Sequence, residues 1–290
     1  MKQYIAFDIG GTHIKYGIVR EDGIVSACFL TDTEAHLGGP ALVQKLILLS
    51  RSLLDEYEVK GVAVSTAGRV DVDRGIILGE SKNIPNYKGL ELKKLISEKV
   101  KLPVEVRNDA DCAALCEHWI GNHGADNFIM LTVGTGIGGG IIINGELHSG
   151  HSYSAGEWGY MRIEGEEFEK VASFPALIKM AKEYKSQLKW TGKEIFDAYD
   201  QGDPKIMKAV AVFYRHLAVG ISNLIYIFDP EKVIIGGGIA LRGEVFLEEI
   251  KEEVKKYTKE TFYNRTELVL AKHQNHSGMI GAVYHFMQKN

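Results

Sequence analysis

The sequence predicts an α/β fold made of two similar halves, and three observations support this. Strand-like apolar runs alternate with amphipathic helical segments along the 290 residues. An apolar strand, a glycine–threonine turn and a second apolar strand occur near residue 10 and again near residue 135, which indicates an internal duplication. The composition, 45% hydrophobic and 25% charged, is that of a soluble chain long enough for two domains.

The first half contains five predicted strands and two predicted helices before residue 108. The strands are YIAFD, IKYGIV, IVSACFL, GVAVS and LPVEVR, and the helices cover residues 40–57 and 88–100. At Asn108 the apolar period changes from two to the helical period, so a helix is expected to follow the fifth strand directly. We expect residues 1–118 to form the N-terminal domain.

The second half repeats the pattern with longer helices. NFIMLTV, IGGGIIING and KVIIGGG are predicted strands, and helices are predicted over 168–185, 192–200, 203–227, 246–260 and 277–288. We expect residues 119–275 to form a C-terminal domain that faces the first across a cleft. The closing helix, about 276–290, is expected to pack back on the N-terminal domain.

Charge, hydropathy and cysteine content exclude several functional classes. The net charge of −4 argues against a nucleic-acid partner, because phosphate backbones select basic surfaces. No run approaches the 18 or more apolar residues of a membrane span, and the N-terminus lacks the pattern of a signal peptide. The three cysteines have no disulfide-framework spacing, which fits a reducing compartment and predicts a cytoplasmic protein.

Three glycine-rich turns are candidate phosphate-binding elements. DIGGTHIK could present backbone N–H groups to phosphate oxygens, with Asp8 at the strand end holding Mg²⁺ directly or through water. A plain β-hairpin turn explains the same residues equally well. GTGIGGG lacks both the P-loop ending and the dinucleotide-binding spacing, and IIGGGI follows a strand at a helix start. Each turn is a weak signal alone, but the order of the three is specific.

Taken in order, these motifs resemble the ROK family of bacterial sugar kinases and related repressors. The resemblance is carried by FDIGGTHIK, the Ser65–Gly68 turn, N83-I-P85, N108-D109, GTGIGGGII, AGEWGY and IIGGGI, and it covers nearly the whole chain. It implies an actin-like (ribonuclease H-like) fold of two duplicated α/β domains, with ATP and Mg²⁺ in the cleft between them. It also implies a homodimer that phosphorylates a sugar.

The resemblance assigns the nucleotide-binding positions residue by residue. The first phosphate loop would comprise Asp8, Gly10, Gly11, Thr12 and Lys15. The second would comprise Gly134, Thr135 and Gly136, and the adenosine would lie beside Gly237 and Gly238.

The resemblance also assigns the sugar site and the general base. Asp109 would accept the proton of the attacking hydroxyl, although as an isolated Asp at a helix start it could equally be an N-cap. The sugar would be bound by Gly68, Asn83, Asn108, Asp109, Glu157, Tyr160 and Glu169. From the residues alone, Asn83 is a turn residue before a proline and Glu169 is a solvated first-turn glutamate.

One segment departs from the family pattern. Many members have ExGH followed by a cysteine cluster that holds structural zinc, whereas this chain has Tyr160 at the histidine position and no cysteine in MRIEGEEFE. Tyrosine is a poor zinc ligand, so we expect a zinc-free branch. Cys112 and Cys116 are four residues apart near His118, but two small apolar cysteines on a buried helix face explain them better than a metal site does.

The leading functional hypothesis is an ATP-dependent kinase that phosphorylates a hexose primary hydroxyl, O6. A glucose or β-glucoside substrate is favoured, with N-acetylmannosamine as the alternative. A sugar-responsive repressor would need a DNA-binding segment before the DIGGT turn, which begins here at residue 8. A catalytically weak sugar sensor is the remaining alternative, against which the presence of Asp8, Asn108 and Asp109 argues.

Overall fold

The computed structural model describes residues 1–79, 84–186, 189–273 and 275–290, and the chain divides into two compact units. The first unit comprises Met1–Gly124, Leu147–Ala155 and Lys272–Asn290, and the second comprises Ala125–Glu146 and Gly156–Ala271. The boundary expected after residue 118 therefore lies a few residues later. The chain also returns to the first unit for one short segment, Leu147–Ala155, which the sequence pattern did not indicate.

The first unit is built on a five-stranded mixed sheet with the order β3-β2-β1-β4-β7. Its strands are β1 (Gln3–Ile9), β2 (His13–Arg20), β3 (Val25–Asp32), β4 (Val62–Thr66) and β7 (Val104–Asn108). β1 is antiparallel to β2 and parallel to β4, which is parallel to β7. A small antiparallel pair, β5 (Val70–Asp71) and β6 (Ile76–Ile77), follows β4.

Helices of the first unit cover the sheet. They are α1 (Gly39–Leu54), α2 (Leu92–Val100), α3 (Asp109–Trp119) and α10 (Ser277–Lys289), with a 3₁₀ turn at Ala35–Leu37. α1 buries Leu42, Leu46 and Leu53 at helical spacing in the same core as Ile5 and Val64. All five residues of β4 are buried, as expected for a central parallel strand.

The second unit repeats the sheet of the first. Its order is β10-β9-β8-β13-β14, with β8 (Phe128–Val133), β9 (Ile137–Ile143), β10 (Glu146–Leu147), β13 (Lys232–Gly236) and β14 (Glu267–Leu270). β8 is antiparallel to β9 and parallel to β13, which is parallel to β14. The equal order and directions confirm the predicted duplication. β14 was not predicted, because four residues give too short a pattern to recognise.

The helices of the second unit agree with the sequence pattern except at two breaks, one at Ser173 and one at Thr258, where the helix predicted over 246–260 is interrupted. They are α4 (Phe168–Ala172), α5 (Phe174–Tyr184), α6 (Gly192–Asp200), α7 (Pro204–Phe228), α8 (Glu244–Tyr257) and α9 (Glu260–Tyr263), with 3₁₀ turns at Trp158–Tyr160 and Gly238–Arg242. The single helix predicted over 168–185 is wrong, because Ser173 is extended. Its hydroxyl caps α5 by accepting from Ala176 N at 3.4 Å, and Pro175 fits only a first helical turn.

α7 comes nearer to membrane-spanning length than the sequence analysis expected. Among the described helices it alone is long and apolar enough to cross a bilayer, with 25 residues and a mean hydropathy of 1.4 over its most apolar window. However, 61% of that window is buried within the protein, and Phe213, Leu217 and Ile221 are fully buried. α7 therefore serves as the core helix of the second unit.

The closing helix packs on α3 in the first unit, and the contact is unusually close. A side-chain carbon at Gly281 would overlap the backbone carbonyl of Cys112. Cys112 and Cys116 are both fully buried in the cluster that α3 and α10 share with β1. This confirms that the two cysteines are small apolar core residues.

Replacing Gly281 by Ala should destabilise the fold by about 1–3 kcal/mol, because overpacking against a backbone group forces the helices apart. In an ordinary helix interior the same change would stabilise by about 1 kcal/mol, so a loss isolates the steric effect. Urea unfolding measures it, with Gln288→Ala at an exposed position of the same helix as the control. Equal stability of Gly281→Ala and the wild type would show that the helices can separate without cost.

Candidate active site

The first glycine turn joins β1 to β2, and Thr33, which follows β3, stabilises it by two hydrogen bonds. Gly10 N donates to His13 O at 3.0 Å, which closes the hairpin. The Thr33 hydroxyl donates to Gly10 O at 2.7 Å, and its amide donates to Thr12 O at 2.7 Å. Gly11 and Thr12 are exposed, and within the described chain their N–H groups have no protein acceptor. The turn is thus a hairpin turn, as one interpretation held, yet it keeps two outward N–H groups for an anion.

Asp8 lies beside this turn, and its carboxylate is fixed by neighbours from two other elements. Ser65 Oγ on β4 donates to Asp8 Oδ1 at 3.0 Å. Burial raises the pKa of Asp8 above its ordinary value, while the Ser65 hydrogen bond and the charge of Lys15 oppose that rise. Lys15 is opposite Asp8 in the β1–β2 register, and its Nζ donates to Asn275 O at 2.8 Å.

The other neighbour of Asp8 is Gly278, in the first turn of α10. A side-chain carbon at Gly278 would overlap the Asp8 carboxyl group. Neither Gly278 nor the contact of Ser65 with Asp8 was predicted from the sequence. Glycine in a helix start carries little information by itself, and no local pattern links residues 8 and 278.

Asn108 and Asp109 stand where β7 becomes α3, and their roles at the helix start are distinct. Asn108 is the N-cap: its Oδ1 accepts from Ala110 N at 2.9 Å and Asp111 N at 3.1 Å. Its Nδ2 donates to Gly68 O at 3.0 Å. The alternative that Asp109 is the N-cap is therefore wrong, because Asn108 already fills that position.

The carboxyl group of Asp109 has a strongly shifted proton affinity. Solvent reaches this side chain, yet the surrounding protein removes much of its hydration, and the Asp8 carboxylate is near enough to repel it. Desolvation first and Asp8 second raise the pKa of Asp109 to about 7, against the lowering effect of backbone hydrogen bonds. Such a carboxylate gains and loses a proton near neutral pH, which suits a general base.

In the second unit, the other two glycine turns lie against each other. Gly134 N donates to Gly136 O at 3.0 Å in the β8–β9 turn, and Thr135 at its tip is exposed. A side-chain carbon at Gly134 would lie 3.9 Å from Gly238 N. Gly237, with φ of 80°, makes the left-handed step that lets the two turns approach.

The AGEWGY segment is anchored by its tryptophan. Trp158 is only 6% exposed, its Nε1 donates to Met130 O at 3.2 Å, and its ring packs edge-on to Phe228 at 5.5 Å. Glu157, half-buried, precedes the 3₁₀ turn that carries Tyr160, which is 67% exposed. The buried Trp158 thus anchors a turn whose last residue, Tyr160, exposes its aromatic ring.

Glu169 joins this segment to the second glycine turn. Its Oε2 lies 3.1 Å from where a side-chain carbon at Gly136 would be, and 3.3 Å from the same position at Gly159. The structure therefore brings Glu169, Gly136 and the AGEWGY segment together. Glu169 does lie in the first turn of α4, as the alternative held, but it is half-buried there and not solvated. Asn83, also predicted for the sugar site, lies outside the described residues.

Comparison with known proteins identifies the family. The sequence profile of the ROK family matches residues 4–289. The chain belongs to the ROK family. It is 36% identical to a β-glucoside kinase from Listeria monocytogenes over 98% of this chain and 97% of that protein.

Solved structures agree. A candidate N-acetylmannosamine kinase from Listeria monocytogenes matches with a TM-score of 0.88 and 35% identity over 99% of both chains. A ROK glucokinase from Streptomyces griseus, in complex with glucose and AMPPNP, matches with a TM-score of 0.83 and 30% identity over 97% of both chains. This ROK member therefore has the actin-like fold that the resemblance implied.

The segment in which the resemblance implies a zinc site for many family members is here a short hairpin, β11 (Arg162–Ile163) and β12 (Glu166–Glu167). It contains no cysteine or histidine. Over residues 1–79, 84–186, 189–273 and 275–290, no three His, Cys, Asp or Glu side chains are grouped so that they could hold a metal ion.

Magnesium bound with a nucleotide is compatible with Asp8, near which the Asp109 carboxylate also lies. Mg²⁺ in phosphoryl-transfer sites is typically held by one or two carboxylates, with substrate phosphates and water completing its shell. Each of the two carboxyl groups has a raised pKa, and the Asp8 charge contributes to the shift of Asp109. A divalent cation would relieve that repulsion, so the residues present fit the ion.

Replacing Asp8 by Asn should lower the pKa of Asp109 from about 7, because one repulsive charge is removed. The pKa should still exceed that of an ordinary aspartate, since desolvation is the larger cause. Carboxyl ¹³C NMR titration of the ligand-free protein measures it, with Asp22→Asn, at an exposed carboxylate in the turn between β2 and β3, as the control. An unchanged pKa would mean that the Asp8 charge does not reach Asp109.

Proposed function

We propose that this protein transfers the γ-phosphate of ATP to the primary hydroxyl of a hexose, O6, and that its substrate is glucose or a β-glucoside. The coarser statement, that it is an ATP-dependent carbohydrate kinase, follows from its family and from relatives matched along nearly their whole lengths. The observation that carries the proposal is Asp109, an accessible carboxyl group with a pKa of about 7 beside a second carboxylate.

Asp109 is the general base. Its carboxylate accepts the proton of the attacking hydroxyl as the new P–O bond forms, and the backbone hydrogen bond from Ala110 N to Oδ1, at 2.9 Å, orients it. Phosphoryl transfer needs mainly alignment and charge stabilisation, so orientation matters as much as basicity. Because Asn108 caps α3, the Asp109 carboxylate is not needed as the N-cap and remains available to a substrate.

Phosphate binding is assigned to the glycine turns. In the first unit, Gly11 and Thr12 offer N–H groups from a turn braced by Thr33, and Lys15 adds a positive charge. In the second, the turn from Gly134 to Gly136 does the same, with Gly237 and Gly238 beside it for the adenosine. Mg²⁺, when bound at Asp8, neutralises charge on the transferred phosphate.

Sugar hydroxyls are assigned to the remaining polar groups. Asn108 has one Nδ2 hydrogen left after bonding Gly68 O, and Gly68 itself stands in an open turn. Glu157 and Glu169 supply acceptors from the second unit. Asn83 is retained as a sugar ligand on the family resemblance.

Tyr160 supports the choice of a glucoside. Its ring is exposed and belongs to a turn that the buried Trp158 anchors. An aromatic face of this kind packs well on the apolar face of a sugar or on an aglycone. N-acetylmannosamine is the second candidate, favoured by the match at 35% identity to a candidate kinase of that sugar. We further infer a cytoplasmic homodimer, in keeping with the family resemblance and with three free cysteines.

Mg·ATP with a panel of hexoses, N-acetylhexosamines and β-glucosides should give sugar-dependent ADP release, fastest with glucose or a β-glucoside. Asp109→Asn should lower turnover about 10²–10⁴-fold, because the base is lost while the shape is kept. Asp55→Asn, at an exposed carboxylate after α1, is the matched control. Absence of turnover with every sugar, or full turnover in Asp109→Asn, would refute the proposal.

The pH dependence of kcat/KM should follow the ionisation of Asp109. Only the unprotonated carboxylate accepts a proton, so activity should fall as the pH drops through the pKa of Asp109, which is about 7 in the ligand-free protein and lower once Mg²⁺ offsets the Asp8 charge, and should reach a plateau above it. Initial rates at limiting sugar and saturating Mg·ATP measure the profile, and circular dichroism at each pH shows that the fold persists. A profile without any fall on the acid side, at every pH at which the fold persists, would remove Asp109 from the role of base.

A further inference from the structure

The hairpin β11–β12 joins two positions assigned to the sugar site. Tyr160 precedes it and Glu169 follows it by two residues. The two residues of its turn, Glu164 and Gly165, have φ of 50° and 90°, as in a tight type I′ turn. The turn therefore has a defined shape and directs the Glu164 side chain outward from the hairpin tip.

The tip of the hairpin is bound to α7 by charge. Glu164 Oε2 accepts from Arg215 Nη2 at 2.8 Å and lies 3.3 Å from His216 Nε2. Arg215 Nη2 is also 3.4 Å from His216 Nε2. Three side chains, one from the tip and two adjacent on α7, thus converge on one point.

His216 extends this contact to α4. Its ring is buried, and Nδ1 lies 3.2 Å from Val171 O, which accepts when Nδ1 carries hydrogen. Val171 stands two residues after Glu169 on the same short helix. One buried ring therefore connects the hairpin tip with the helix that carries Glu169.

The open end of the hairpin is fixed by Phe168, the first residue of α4. Phe168 N donates to Met161 O at 2.7 Å, and the buried Phe168 ring fills the space over Gly220 of α7. Apolar packing therefore fixes the base, while the ionic cluster fixes the tip. The segment is therefore attached at both ends, and its orientation is fixed, whereas a single attachment would allow it to rotate.

We propose that Glu164, Arg215 and His216 form a brace that positions Tyr160 and Glu169 for the sugar. These three are positioning residues, since they act through the hairpin and α4. The inference rests on the proposed function for its substrate, and on the contacts above for its mechanics. Loosening the brace should weaken sugar binding strongly and affect ATP binding much less, since only Glu169 of the positioned residues also lies against a phosphate turn, at Gly136.

Glu164→Gln tests the brace with little change of shape. We expect the KM for the sugar to rise about tenfold, since small misplacements of binding groups are costly, while the KM for ATP stays within about twofold of the wild type. Glu166→Gln is the matched control, an exposed carboxylate in the same hairpin. It should leave both constants unchanged.

A second variant and a second measurement make the test independent of one substitution. His216→Gln should raise the sugar KM similarly. The sugar KM of the double variant should not exceed the higher of the two single-variant values, because both substitutions break the same unit. In ligand-free protein, hydrogen exchange of peptides within 156–172 should increase in Glu164→Gln and not in Glu166→Gln.

The brace is overturned if Glu164→Gln matches Glu166→Gln in sugar KM and in exchange. It is equally overturned if the KM for ATP rises as much as that for the sugar, which would indicate general destabilisation. Failure of the proposed function is distinguishable: the wild type would then phosphorylate no sugar, and the exchange measurement alone would decide whether the brace exists.

Discussion

The parallel register of β1, β4 and β7 is the constraint on which the first half of the site depends. One row of that register aligns Asp8, Ser65 and Arg107, and the next row ends at Asn108. Ser65 therefore stands where it can hold Asp8, and α3 begins where Asp109 comes under the influence of the Asp8 charge. A slip of one residue in any of these strands would turn the aligned side chains to opposite faces of the sheet.

Sequence patterns predicted most elements because strands and helices bury residues at different periods. The duplicated sheet was visible as two strand–glycine–strand units, and the family resemblance named the residues of both glycine turns. Helix breaks and helix caps, which depend on a single side-chain hydrogen bond, were less predictable. Ser173 breaks a helix whose apolar pattern runs straight through it, and Asn108 rather than Asp109 takes the cap. Adjacent residues of similar chemistry compete for such positions, and periodicity does not distinguish them.

Tertiary contacts explain the remaining surprises. Trp158 and Tyr160 are two residues apart in one motif, yet the first is buried and the second is exposed. The difference arises because β9 offers Trp158 a glycine surface at Gly139, where any larger residue would overlap the indole. The hairpin that follows is likewise attached to α7, through a contact between Glu164 and Arg215 that are 51 residues apart in the chain. No window of sequence contains both partners.

The contact of Gly278 with Asp8 makes the surroundings of Asp8 depend on a helix that is translated long after β1. β1 leaves the ribosome first, whereas α10 is translated only after the whole second unit. Until α10 folds back, the Asp8 carboxylate lacks one wall and the α3 cysteines lack their cover. A nascent or prematurely terminated chain would therefore carry both glycine turns and Asp109 without the helix that completes the surroundings of Asp8.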